Sequence, residues 1–170
     1  GDEPELSGDQ THALAGKSWL LGTDWVYQYD SAKSQGQGDL HIQAEYLYQV
    51  KDLDLMYHAS KPELVGAQRE FSQDGFYLQA VYGLAPRIEA GLRYDVVGLT
   101  NELEGPNATL KDWDTSQRWG LMLAFRPTEY SILRAQFSRT DFSIEDNSEA
   151  VNQFWLQYQL SLGVHGAHTF

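Results

Sequence analysis

The chain has 170 residues, 42% of them hydrophobic, and no cysteine, so it is long enough for one domain with a sizeable core and lacks the composition of a disordered segment. Its formal charge of −12 argues against nucleic acid as a partner. No apolar run approaches the roughly 20 residues of a membrane-spanning helix, which leaves open a membrane protein that crosses with strands, since these are only about half apolar.

Residues 1–14 begin acidic and turn-rich and read as a loop or loose terminus, ahead of a strand-rich region over 15–170. No signal peptide stands at the start, so the chain is expected to be processed or part of a longer protein. The first strand covers about Lys17 to Tyr29, with Trp19, Leu21, Trp25, Tyr27 and Tyr29 on one face and Ser18, Gly22, Asp24 and Gln28 on the other. A small-polar turn over 31–39 leads to the second, Leu40 to Lys51. There Leu40, Ile42, Ala44, Tyr46, Tyr48 and Val50 alternate with His41, Gln43, Glu45, Leu47, Gln49 and Lys51.

Segment 52–74 keeps some strand character to Tyr57 and then reads as a polar loop around Lys61-Pro62. The third strand sets Phe76, Leu78, Ala80, Tyr82 and Leu84 on one face. After a turn at Ala85-Pro86, the fourth sets Ile88, Ala90, Leu92, Tyr94 and Val96 against Arg87, Glu89, Gly91, Arg93 and Asp95. Residues 99–115 read as a long acidic loop. The fifth strand carries Trp119, Leu121, Leu123 and Phe125 opposite Arg118, Gly120, Met122, Ala124 and Arg126, and Pro127 to Glu129 make a tight turn. The sixth places Leu133, Ala135 and Phe137 against Arg134, Gln136 and Ser138. A second acidic loop at about 139–150 precedes a last strand, Phe154 to Phe170, whose Phe154, Leu156, Tyr158, Leu160, Leu162 and Val164 alternate with mostly polar neighbours.

The expected fold is therefore all-β. It is an antiparallel transmembrane β-barrel, or the C-terminal part of a larger one, with about seven or eight visible strands. A soluble sandwich alternates in the same way, but three features favour a bilayer. The strands reach the roughly 9–11 residues of a crossing, whereas ordinary strands average about 5–6. Trp19, Tyr48, Phe76, Trp119, Phe137 and Phe154 gather at one end of the apolar face, and Tyr27, Tyr29, Tyr82, Phe125 and Tyr130 at the other. Mostly Ala and Leu lie between them, although Tyr46 and Tyr158 depart from the pattern. Long connections alternate with tight ones. Seven strands with the last running inward put the start of the first outside, so at least one further strand is expected. It would lie in the first residues, in more chain or in another subunit, because an open edge cannot face lipid.

The segments GFYLQAVYGL, RIEAGLRYD, RPTEYSILRAQFS and FWLQYQLSLGVHGAHTF, preceded by HIQAEYLYQ, resemble the C-terminal half of a family of bacterial outer-membrane proteins. Its members are labelled porins or zinc-regulated TonB-dependent receptors and are distantly like phosphate-selective porins. The resemblance covers about residues 17–170 and implies a bacterial outer-membrane location and a porin-like channel. It also implies that Phe170 is the end recognised by the barrel-assembly machinery. Outer-membrane lipid, that machinery and the remaining strands or other subunits are the expected partners.

The inward face then carries the candidate pore-lining residues Asp24, Glu45, Glu89, Arg93, Asp95, Arg118, Arg134, Gln136 and Gln157, whose charges would set ion selectivity. The competing readings are a salt-bridge lattice that fills a narrow barrel, and an occluded receptor or structural barrel acting through its outer loops. His165 and His168 are three apart, which in a strand turns them to opposite faces, and no carboxylate or Cys lies nearby, so no metal site is expected. Ser, His and Asp occur without a nucleophile elbow, so no catalytic residues and no cofactor are assigned.

Overall fold

The computed structural model describes residues 12–58, 61–105, 115–144 and 147–161. They form β1 (His12–Tyr29), β2 (Leu40–His58), β3 (Gln68–Ala85), β4 (Ile88–Val97), β5 (Glu102–Glu104), β6 (Ser116–Thr128), β7 (Ser131–Ile144) and β8 (Asn147–Leu160). All belong to one antiparallel sheet in the order β1-β2-β3-β4-β6-β7-β8, with β5 continuing the line of β4 along the far end of β3. The expected all-β antiparallel architecture is present. The sheet is open: β1 pairs with β2 and β8 with β7, and among the described residues neither edge has a second neighbour.

Register carries the alternation from strand to strand without a slip. Trp25 lies opposite Ala44, Ala44 opposite Leu78, Leu78 opposite Tyr94, Tyr94 opposite Trp119. One row further along, Leu92, Leu121, Phe137 and Phe154 are successive partners. A one-residue slip in any pair would mix the two faces; none occurs within this band, so seven strands share one apolar face. That face is exposed: Trp25, Leu78, Leu92, Leu123 and Leu156 all stand open, and the buried apolar residues are few. A soluble protein rarely leaves so large an apolar surface uncovered.

The strands are longer than the alternation indicates. β1, β2 and β3 have 18, 19 and 18 residues, about 60 Å of extended chain against a bilayer core of about 30 Å. In segment 52–74 the strand character expected to Tyr57 is present, β2 running to His58, but the polar loop expected after it is shorter, because β3 already begins at Gln68. The acidic loop expected over 99–115 contains β5, and the one expected over 139–150 is largely a hairpin, with Ile144 opposite Asn147. β1 likewise starts at His12, before the expected boundary at 14/15.

These extensions share a physical signature. Beyond Val50 the chemistry of the two faces exchanges. The face that was apolar now carries Asp52, Asp54, Glu70 and Glu104, all exposed, with Asp52 opposite Glu70 and Glu70 opposite Glu104. The other face now carries Leu53, Leu55, Phe71 and Leu103; Phe71 lies opposite Leu103, and Leu55 is 1% exposed. The same inversion occurs on β7, where Leu133, Ala135 and Phe137 give way to Arg139 and Asp141, joined by an ion pair of 3.1 Å.

Asp74 marks the exchange level. It lies on the apolar-face side of β3, only 5% exposed, and accepts hydrogen bonds from the Tyr46 hydroxyl (3.1 Å) and the Thr100 amide (3.1 Å). Its own carbonyl accepts from the Gly98 amide at 3.1 Å. These bonds hold residues 98–101, which depart from the ladder between β4 and β5. Asp74→Ala removes the buried carboxylate that accepts from the part-buried Thr100 amide and Tyr46 hydroxyl, a loss of about 1–3 kcal/mol. The expected result is a lower urea midpoint for the refolded protein, with Asp74→Asn losing less.

Candidate functional site

The other face is polar, and all nine residues expected to line a pore, Asp24, Glu45, Glu89, Arg93, Asp95, Arg118, Arg134, Gln136 and Gln157, are on it. Asp24, Glu45, Tyr77, Asp95 and Arg118 form one continuous row across five strands, each the register partner of the next. The next row holds Gln43, Gln79, Arg93, Gly120 and Ser138, and the following one Gly91, Met122, Gln136 and Trp155. Glu89, Ala124, Arg134 and Gln157 make a fourth.

The charges on this wall are not equivalent. Arg93 donates through Nε and Nη2 to Asp95 Oδ1 at 2.8 and 2.7 Å, reaches Gln79 Oε1 at 3.4 Å, and lies over the Tyr77 ring at 4.1 Å. Residues two apart in a strand share a face, which is why Arg93 and Asp95 meet. Arg126 holds Glu89 with two bonds of 3.0 and 3.2 Å, the fork geometry that suits guanidinium and carboxylate. Arg118 donates to the Ser138 hydroxyl at 3.2 Å and, among the described residues, makes no ion pair, although Asp95 is its register partner. The Nε of Arg134 is buried without a hydrogen-bond partner.

A recess of about 460 Å³ opens on this face of β3, β4, β6, β7 and β8. Glu89, Arg93, Asp95, Arg118, Arg134, Gln136 and Trp155 line it. Gly91 and Gly120 also line it; a Cβ on Gly91 would come within 3.0 Å of the Met122 side chain, so the recess owes part of its depth to glycine. Asp24, Glu45 and Gln157 share the face but do not line the recess. Tyr77, Trp155 and the two glycines are not among the residues expected to line a pore, although alternation sets Gly91 and Gly120 on this face. Their one signal was parity: each falls on the strand positions that alternate with the apolar row, Gly91 between Glu89 and Arg93 and Trp155 between Gln153 and Gln157.

Arg87, expected on the inward face, instead occupies the tight turn between β3 and β4 with φ of 65°, and its Nη1 donates to the Pro127 carbonyl at 2.6 Å. Phe170, His165 and His168 lie outside the described residues.

Comparison with known proteins gives one substantial sequence match. An uncharacterized protein of Aquifex aeolicus (strain VF5) is 30% identical over 167 residues, which is 95% of this chain and 33% of that protein. The chain thus spans about a third of the length of the relative it matches. No family model matches the chain, and no solved structure matches it.

Proposed function

We propose that this sheet is part of the wall of a porin-like channel in a bacterial outer membrane, passing small polar or ionic solutes along its charged face. The observation that carries this reading is the pair of continuous faces. Seven register-matched strands turn an exposed apolar surface to one side and a charged, glutamine-rich surface with a recess to the other. A bilayer is the environment that satisfies both at once. The chemical inversion beyond Val50 and Phe137 supports the same reading, because a strand leaving lipid for water needs polar groups where it had apolar ones.

The aromatic positions fit the two interfaces. Trp19 and Tyr48 make an edge contact at 5.6 Å and Tyr94 packs on Trp119 at 4.4 Å near the level of the inversion. Tyr27, Tyr29, Tyr82 and Phe125 stand toward the opposite end. An open edge cannot persist in lipid; we infer that further strands of the same protein, or another subunit, pair with β1 and β8. Outer-membrane lipid and the barrel-assembly machinery complete the expected partners.

Conductance in planar bilayers tests the function, and no resolvable channel from the fully assembled protein would refute it. Location is tested separately by tryptophan fluorescence in vesicles containing brominated lipid. Trp25 and Trp119, on the apolar face, are expected to be quenched, and Trp155, on the polar face, to be protected. Uniform protection would mean that something other than lipid covers the apolar face. The second reading, an occluded receptor barrel, draws on the height of the β2–β3 hairpin beyond the apolar band. A folded, membrane-inserted but silent protein would favour it.

A further inference from the structure

We infer that the connection between β1 and β2, residues 30–39, is a fixed shelf over the lumenal wall that sets the size limit at the periplasmic mouth of the channel. This rests on the channel reading. The other two connections at that end of the sheet are two-residue turns, Pro86-Arg87 and Glu129-Tyr130. The first is ten residues long and does not continue in line with its strands.

Its course is fixed by Gly83. That residue lies on the polar side of β3, in phase with Gln79 and Val81, and is buried although it stands near the sheet end. A Cβ there would collide with the Gly36 carbonyl and approach the Gly38 nitrogen to 3.1 Å. The backbone of residues 36–38 therefore lies directly on the polar face, an approach only glycine at 83 permits. Three left-handed residues, Gln35 (φ 59°), Gly36 (φ 78°) and Gly38 (φ 85°), bend the chain into that position.

Hydrogen bonds then anchor the shelf to its neighbours. The Gly38 amide donates to Gly83 O at 2.7 Å and the Gly83 amide to Asp39 O at 2.9 Å. The Arg87 amide donates to Gln35 O at 2.9 Å, so the shelf reaches the β3–β4 turn. Arg87 is in turn bound to the next hairpin, accepting from the Arg126 amide at 2.9 Å and donating to the Pro127 carbonyl. Within the shelf, Asp39 Oδ1 accepts from the Ser31 amide at 2.8 Å, and the Ser31 hydroxyl donates to Gln37 O. A pocket of about 280 Å³ between the shelf and the wall, lined by Gln28, His41 and Glu89 among others, is the space that it roofs.

A segment held by three backbone hydrogen bonds to the β3–β4 hairpin, which Arg87 ties in turn to the next, narrows the opening permanently and does not act as a gate. Its charged side chains are of both signs, Asp30 and Asp39 against Lys33, and both carboxylates accept local hydrogen bonds, so it restricts size and leaves ion preference chiefly to the arginines further along the wall.

The test uses the full-length protein in planar bilayers and in liposomes loaded with neutral sugars and polyethylene glycols of graded size. Gly83→Val forces Gly36 off the wall. Ser31→Ala, which removes the hydroxyl that bonds Gln37 O and accepts from the Lys33 amide, loosens the shelf without adding bulk or changing charge and serves if the first variant fails to insert. Higher single-channel conductance and a larger neutral-solute cutoff, with unchanged cation-to-anion preference, are expected from either. A conducting wild type whose variants insert and keep the same conductance and cutoff overturns this inference alone. A silent wild type overturns the channel reading, and the shelf's role with it.

Discussion

Leu123→Arg is expected to abolish stable insertion, while the same substitution at its immediate neighbour, Met122→Arg, is tolerated. Leu123 sits in the middle of the apolar face of β6, 52% exposed, with Ala90 and Ala135 as its register partners. No group there pairs with a guanidinium, and a charge at the centre of the lipid face of a barrel costs about 2–4 kcal/mol. Met122 faces the other way, between Gly91 and Gln136 on the floor of the recess. An arginine there extends into space that already holds three others. Folding into vesicles, followed by a heat-modifiable gel shift and urea unfolding, reads both variants. Equal loss at the two positions would mean that both faces are packed against protein. Equal tolerance would mean that the apolar face is in water. Either result removes the basis for a membrane wall.

The same contrast explains what the sequence disclosed and what it withheld. Where one face is apolar throughout and the other polar, alternation is strict, and Leu40 to Val50 or Ile88 to Val96 are assigned residue by residue. Beyond Val50 the chain stays extended but the apolar positions shift phase, from Tyr48 and Val50 to Leu53 and Leu55, and a single-period pattern breaks there. The break looked like a loop although the ladder continues, because Asp52, Glu70 and Glu104 belong on a strand face that meets water. The hairpin of β7 and β8 was shortened for the same reason.

At the site, parity placed Arg93, Arg118 and Arg134 on one face but said nothing of their partners. Which carboxylate an arginine takes depends on rotamer and on what lies one strand away. Arg93 takes Asp95 on its own strand, leaving Arg118 to Ser138 on the next. The shelf was legible as a turn from its glycines and serines. Its direction depended on Gly83, some 45 residues later in the chain, and no local pattern connects the two.

That difference in partners leads to the second large effect. Arg134→Gln is expected to move the reversal potential in a salt gradient toward cations while leaving stability unchanged or slightly raised. The Nε of Arg134 is buried without a partner, and a buried unsatisfied donor is a cost that the substitution removes. A positive charge kept under those conditions contributes to the field in the recess and not to the fold. Arg93→Gln also removes one positive charge from the wall, so its reversal potential shifts in the same direction. But it breaks two bonds to Asp95, one to Gln79 and the stacking on Tyr77. With the Arg93 side chain 43% exposed, solvent screens the pair, and the expected loss is about 1–2 kcal/mol. The two variants thus separate what ion preference and stability would otherwise confound: similar shifts in potential, opposite effects on the urea midpoint. If Arg134→Gln destabilises the protein and leaves the reversal potential of a conducting channel unchanged, the polar face is a packed lattice. In that case the path of the ions lies elsewhere.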